Sequence, residues 1–227
     1  MTAIENIKKN LGDAAAKLIQ DGMVVGLGTG TTVHYFIQSL IERYQKGLKI
    51  QVIASSEESL HKARKGNLPI LDSDTLLHVD ITVDGADEID GEKQMIKGGG
   101  GALVREKILA SMSREMVVIV DETKVVSKLG KRKLPVEILP FAYSSTLHKI
   151  HKLGYKGVIR LKSNAKPVIT DNGNYLVDID LHSDTLVPKQ THEDLIHIPG
   201  VVDTGFFFHL AGRVMIGFFD GQIVIRP

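Results

Sequence analysis

Four short segments carry residue types whose spacing suits chemistry on a small charged ligand. The first, Gly26-Leu27-Gly28-Thr29-Gly30-Thr31-Thr32, lies between an apolar run and a helical pattern. Glycines let backbone approach an anion, a helix N-terminus offers free N–H groups and partial positive charge, and the threonines add hydroxyl donors. A dinucleotide fingerprint would need glycine where Thr31 stands, and an acidic residue where the next strand ends in Ala54-Ser55-Ser56. A Walker-type Gly-Lys-Ser/Thr is missing too. A small phosphate ester fits this turn better than a nucleotide, and a turn that merely needs glycines is the plain alternative. The second segment, Val83-Asp84-Gly85-Ala86-Asp87-Glu88, clusters carboxylates after an apolar strand, where open α/β sheets bind ligands. A turn, a divalent-metal site and an acid–base pair are equally open readings of it. In the third, Lys97-Gly98-Gly99-Gly100-Gly101-Ala102, consecutive glycines cost backbone entropy that flexibility or close ligand approach must justify. A helix follows, with Glu106 near the end of its first turn. Alone, Glu106 reads first as a charge complementing the positive helix end or pairing with Lys107 or Arg105. The fourth, Asp121-Glu122-Thr123-Lys124, closes another apolar strand, and Lys124 alone reads first as a solvated loop lysine.

The elements around these segments alternate. Thr2-Ala3-Ile4-Glu5 has the form of a capping box, and Ile4, Ile7, Leu11, Ala14, Ala15 and Leu18 share one helical face. Apolar runs predict strands over 23–27, 50–54, 77–83 and 116–120, with helices over 33–44 and about 102–113. That alternation argues for a parallel α/β sheet. From Lys133 the pattern changes to a strand over 134–139, a helix over 144–153 opened by a serine cap, and a strand over 157–161. Residues 168–170 and 175–179 then pair across Asp171-Asn172-Gly173-Asn174. A helix starts near Thr191, a strand covers 201–208, and the tail, 214–225, adds strands around Asp220-Gly221. The β-α-β-β-α-β order is that of a ferredoxin-like unit. The expected fold is α/β: a Rossmann-like parallel sheet domain, residues 1–130 plus 206–227, with a smaller ferredoxin-like α+β domain, 131–205, inserted before the last strands.

Composition narrows the function classes. The chain has 227 residues and no cysteine, which excludes a thiolate nucleophile, a disulfide framework and Cys-ligated zinc or iron–sulfur sites. Lys plus Arg is 28 against 27 Asp plus Glu, so no global field draws it to nucleic acid or an anionic membrane. No apolar run approaches the ~20 residues of a membrane span. The N-terminus lacks the basic start and apolar core of a signal peptide. A soluble, cytoplasmic protein with no nucleic-acid or membrane partner is expected. The nine histidines include the helical pairs His148/His151 and His192/His197, neither in an HExxH pattern, so no metal is expected. Residues 128–133 are lysine-rich without aromatics, which suits a solvated loop better than a nucleic-acid surface.

Taken together, the polar clusters fall at the ends of successive predicted strands, and in order and spacing the chain resembles the type A ribose-5-phosphate isomerases. The resemblance rests on Gly28-Thr29-Gly30-Thr31-Thr32, Asp84-Gly85-Ala86-Asp87-Glu88, Lys97 to Leu103, Arg105-Glu106-Lys107, Asp121 to Lys124 and Leu134-Pro135-Val136-Glu137. Thr170 to Asn174 and Ile198-Pro199-Gly200-Val201-Val202 extend it over essentially the whole chain. It implies cofactor-independent interconversion of D-ribose 5-phosphate and D-ribulose 5-phosphate in the non-oxidative pentose phosphate pathway. It further implies Glu106 as the base of an enediolate mechanism, and Asp84 and Asp87 as the groups that handle ring opening and hydroxyl protons. Lys97 and the N–H groups of Gly98, Gly99 and Gly100 would stabilise the enediolate oxygen. Thr29, Gly30, Thr31 and Thr32, Asp84-Gly85-Ala86-Asp87, and Lys124 would bind substrate. A homodimer or dimer of dimers is the assembly implied. Ser55 to Ser59 is more acidic than the family's loop and stays outside the expected site. Lys8 or Lys9 stands either near the phosphate or on a solvated helix face. The rival reading is a sugar-phosphate-sensing domain without catalysis.

Overall fold

The computed structural model describes residues 2–227. In sequence order its elements are α1 Ala3–Ala16, β1 Val24–Leu27, α2 Thr31–Gln45, β2 Gln51–Ala54, α3 Glu57–Lys65, β3 Val79–Asp84, β4 Glu88–Ile89, β5 Met95–Ile96, α4 Leu103–Ser111 and β6 Ser113–Asp121. There follow a 3-10 turn Glu122–Lys124, β7 Leu134–Ile138, α5 Tyr143–Lys152, β8 Gly157–Ile159, β9 Tyr175–Ile179, α6 Pro188–Ile196, β10 Val201–Thr204, β11 Phe206–Phe207, β12 Ala211–Gly217 and β13 Ile223–Arg226. They divide into two compact units. The first holds the residues up to Ala86, Arg105–Val125 and His209–Pro227; the second holds Asp87–Val104 and Val126–Phe208.

The first unit is a six-stranded sheet in the order β13-β12-β6-β3-β1-β2, parallel except for β13. Renumbered among themselves, the parallel strands stand 2-1-3-4-5, so the winding reverses between β1 and β3. Ligands of open α/β sheets bind at the carboxyl ends of strands flanking such a reversal. The register makes those ends level: Leu27 pairs with Ala54 on one side and Val83 on the other. The glycine turn, Ser55 and Asp84 therefore leave the sheet along one edge. α1 starts as its sequence predicts, with Thr2 N–H donating to Glu5 Oε2 at 2.6 Å and Glu5 N–H to Thr2 Oγ1 at 3.3 Å. Its buried face is Ile7, Leu11, Ala15 and Ala16. α2 crosses it closely at Gly12, where an added Cβ would lie 2.5 Å from the Phe36 nitrogen.

Two features of this unit depart from the sequence reading. α3 is not anticipated there, because only Ser59 and Ala63 of its nine residues are buried and its apolar periodicity is weak. Polar signals make it a helix instead: Ser56 caps it through Ser59 N–H, acids fill its first turn and bases its last. α4 ends at Ser111 rather than about 113, since Ser113 already pairs with Val79 as the start of β6.

The second unit carries the expected β-α-β-β-α-β run, β7-α5-β8-β9-α6-β10, as an antiparallel sheet in the order β10-β7-β9-β8. That is the ferredoxin-like arrangement, with a core of Leu134, Val136, Ile138, Ile150, Val177, Ile179 and Leu195. A separate three-stranded sheet, β11-β5-β4, is absent from the sequence reading and brings residues 87–104, 126–130 and 206–208 into this unit rather than the larger domain. The strand expected over 201–208 is two strands in two sheets, broken at Gly205. There an added Cβ would lie 2.3 Å from the Lys97 carbonyl oxygen, so only glycine lets the backbone turn against that carbonyl. The serine cap expected for α5 is absent; the helix opens at Tyr143 behind Ala142, which has φ 51° and makes no side-chain cap bond. α6 begins at Pro188, a residue preorganised for a first helical turn, rather than near Thr191. Residues 168–170 make a single bridge, Ile169 to Tyr175, instead of a paired strand. Among the described residues no helix is long and apolar enough to cross a membrane.

Candidate active site

In the first unit the site is built at the winding reversal. Asp84, the last residue of β3, is fully buried, and its Oδ1 accepts the N–H groups of Gly85 at 2.7 Å and Thr29 at 3.1 Å. Gly28 is the condition for this: a Cβ there would lie 2.2 Å from the Asp84 carboxyl carbon. Thr29 Oγ1 lies 2.9 Å from the hydroxyls of both Ser55 and Ser56, while Ser59 Oγ donates to the Gly28 carbonyl at 2.6 Å. Gly30 takes φ 113°, turning the backbone into α2 with no side chain capping the helix, so the first-turn N–H groups face an open N-terminus. Lys8, on α1, donates from Nζ to Thr31 Oγ1 at 2.7 Å. His34 follows one turn along, and burial, then the Lys62 charge, holds its pKa below the ordinary histidine value. It adds no positive charge to this turn at neutral pH.

Glu106 sits in the first turn of α4, 5% exposed. The residue before it, Arg105, pairs with Glu57 of α3 at 3.2 Å. Lys124 ends the 3-10 turn, which Asp121 caps by accepting Thr123 N–H at 3.1 Å. Glu122 of the same turn accepts Phe219 N–H at 2.7 Å, tying it to the segment just past β12.

In the second unit the remaining candidates form a compact group. Asp87 Oδ2 accepts Gly99 N–H at 2.7 Å, and its own N–H donates to the Ile96 carbonyl at 2.8 Å. Lys97 is 3% exposed; its N–H donates to the Gly205 carbonyl and its ammonium stands 5.4 Å from the centre of the Phe207 ring. Gly98, at φ 102°, starts a tight turn closed by the Gly101 N–H on its carbonyl at 3.0 Å. Glu88, the third carboxylate of its segment, is drawn off: its two oxygens accept the N–H groups of Gly130 and Arg132. No group of three or more potential metal ligands is assembled among the described residues.

A sequence model of ribose 5-phosphate isomerase A (phosphoriboisomerase A) matches residues 51–221. A curated relative from Protochlamydia amoebophila, named ribose-5-phosphate isomerase A, is 50% identical over 96% of this chain and 94% of its own length. The chain belongs to the ribose-5-phosphate isomerase A family. Solved structures agree at the level of the whole backbone. The Plasmodium falciparum ribose 5-phosphate isomerase superposes with a TM-score of 0.92 at 36% identity, covering 98% of each chain. A further D-ribose-5-phosphate isomerase, in complex with phospho-erythronic acid, gives 0.91 at 36% identity over 98% of this chain and 99% of that one.

Within this isomerase framework the structure groups the expected residues of each unit. Thr29 to Thr32, Asp84, Gly85, Ala86, Glu106 and Lys124 lie on the first, and Asp87, Lys97 and Gly98 to Gly100 on the second. The sequence reading sets Ser55 to Ser59 aside for their acidic neighbours, yet Ser55, Ser56 and Ser59 are all buried and bonded to the glycine turn. The signal is present in the sequence: they follow β2, the strand beside β1, and the acids Glu57 and Glu58 belong to the first turn of α3. Lys8, undecided from sequence, is the N-terminal lysine that reaches the turn.

Proposed function

We propose that the chain converts the acyclic form of D-ribose 5-phosphate to D-ribulose 5-phosphate by proton transfer through a cis-enediolate, with Glu106 as the base. The observation that carries this reading is a buried carboxylate at the start of the helix that follows a lysine–glycine turn rich in N–H donors. Proton abstraction next to a carbonyl needs those two things, a positioned base and a donor for the developing oxyanion. Glu106 takes the proton from carbon 2, the C–H electrons form the carbon 1–carbon 2 double bond, and the carbonyl pair moves onto oxygen 1. Lys97 and the N–H groups of Gly98 to Gly100 stabilise that charge. A proton passes from oxygen 2 to oxygen 1, the carbon 2 carbonyl forms, and Glu106 returns its proton to carbon 1.

Asp84 and Asp87 manage the hydroxyl protons. In ring opening one takes the proton of the anomeric hydroxyl while the ring oxygen gains one. Asp84 is suited to a fixed role, since two N–H groups hold one of its oxygens. The turn Thr29 to Thr32, with Lys8 beside it, and Lys124 bind the substrate's anionic and hydroxyl groups. Phospho-erythronic acid, with a carboxylate where the enediolate charge develops, is an analogue of the intermediate. The enzyme serves the non-oxidative pentose phosphate pathway in the cytoplasm as a homodimer or dimer of dimers.

Carbon-2-deuterated ribose 5-phosphate tests the reading, with EDTA present and no cofactor added. Turnover should be slower than with protiated substrate, and part of the deuterium should be lost to solvent protons. Complete retention of deuterium in the ketose would indicate a hydride shift and contradict the enediolate. Saturable binding without turnover would favour the sensor alternative.

A further inference from the structure

Four consecutive glycines make a poor scaffold for precise donors, because each peptide plane is free to rotate. Besides the Gly101 N–H on the Gly98 carbonyl and Asp87 on the Gly99 N–H, one side chain restricts that freedom from the carbonyl side. Arg160, just past β8, donates from Nη1 to the carbonyls of both Gly98 and Gly99 at 3.0 Å. The rest of its guanidinium is clamped by Asp178 of β9, with Nε to Oδ2 at 2.9 Å and Nη2 on Oδ1. Both side chains are less than one-fifth exposed. Arg160 is itself held in the sheet, its N–H donating to Leu176 O at 2.8 Å and its carbonyl accepting Val168 N–H at 2.9 Å.

In a trans peptide the carbonyl of one residue and the N–H of the next lie in one plane and point in opposite directions. Tying down the Gly98 carbonyl therefore aims the Gly99 N–H away from Arg160, and there it meets Asp87 at 2.7 Å. Tying down the Gly99 carbonyl aims the Gly100 N–H the same way. Among the described residues Arg160 is the one donor on the Gly99 carbonyl, and the Gly100 N–H donates to no protein atom. The planar fork of an arginine is suited to such bracing, since it reaches two adjacent carbonyls and a carboxylate at once, which a lysine cannot do.

We infer that Arg160, braced by Asp178, is a positioning residue that presets the Gly98–Gly99 and Gly99–Gly100 peptide planes, so that the Gly99 N–H is held on Asp87 and the Gly100 N–H stands ready for the enediolate oxygen. This rests on the proposed oxyanion role of that turn. It separates Arg160 from the residues that touch substrate, since its contacts are with the carbonyl side of the turn.

The test compares Arg160→Lys, Arg160→Ala and Asp178→Asn with wild type, reading kcat, KM for ribose 5-phosphate, affinity for phospho-erythronic acid, and melting temperature. Misplaced donors should lower kcat about 10–100-fold while KM stays nearly unchanged. Affinity for the acid should fall in parallel with kcat/KM, and added guanidinium should restore part of the kcat of Arg160→Ala. Full activity in folded Arg160→Lys and Arg160→Ala would overturn the inference. So would kcat and KM worsening together with the melting temperature and without guanidinium rescue, since that marks a general structural role. Lys97→Met, run alongside, separates this inference from its premise. If Lys97→Met is fully active, the oxyanion reading itself fails; if it is crippled while the Arg160 variants are not, only the role of Arg160 fails.

Discussion

Asp84, Asp87 and Glu88 show how little local sequence decides about a carboxylate. All three stand within five residues, yet one closes a parallel strand against the glycine turn, one braces the Gly99 N–H, and one holds the backbone of Gly130 and Arg132. Residue types alone leave turn, metal and acid–base readings level, and the separation comes from where β3 ends and β4 begins. Lys8 is the converse case. It lies a turn along a capped amphipathic helix, and only tertiary packing of α1 against α2 shows that its ammonium reaches Thr31 at 2.7 Å. If it helps to hold the phosphate, Lys8→Met should raise KM for ribose 5-phosphate about tenfold with kcat nearly unchanged, the pattern of lost uniform binding. Steady-state kinetics at low salt checks this, and an unchanged KM would return Lys8 to a structural contact with Thr31.

At the scale of elements, the parallel α/β alternation is legible because buried strands are continuous apolar runs and the intervening helices are amphipathic. The β-α-β-β-α-β run is legible for the same reason. What escapes are pieces whose signals are polar or very short: α3, recognisable only by its cap and charge distribution, and the two-residue strands β4, β5 and β11. Strands of two residues have no period to detect. The paired strands β6 and β12 of the large sheet offer a test of their own. Arg213 of β12 donates Nε to Glu115 Oε1 at 2.5 Å and Nη2 to Oε2 at 2.7 Å, and these bonds hold the Glu115 carboxyl below its ordinary range against the opposing effect of burial. A lowered folded-state pKa contributes stability above the unfolded value that is lost as pH falls through the folded one. Because Arg213 is 36% exposed, the contribution is discounted to about 1 kcal/mol. Glu115→Gln should therefore unfold at lower urea than wild type near neutral pH, with the gap closing in acid below the glutamate range. An equal gap at both pH values would contradict it.

For the molecule as a whole, the resemblance read from motifs and the family match describe the same enzyme, and the fold supplies what the motifs lack. The 2-1-3-4-5 winding explains why the glycine turn and Asp84 share an edge, and the second unit explains why Gly205, Arg160 and Asp178 surround the lysine–glycine turn. None of those three stands out in the sequence, because Gly205 and Arg160 act on backbone atoms far away in residue number and Asp178 acts through Arg160. In the proposed mechanism a buried glutamate moves the proton. The most direct measurement is kcat of Glu106→Gln against wild type for ribose 5-phosphate, in EDTA, with folding and phospho-erythronic acid binding checked in both proteins. Loss of the base should cost about 10²–10⁴-fold in kcat with the variant still folded and still binding the acid. A Glu106→Gln enzyme that turns over like wild type would contradict the account and move the base to another carboxylate.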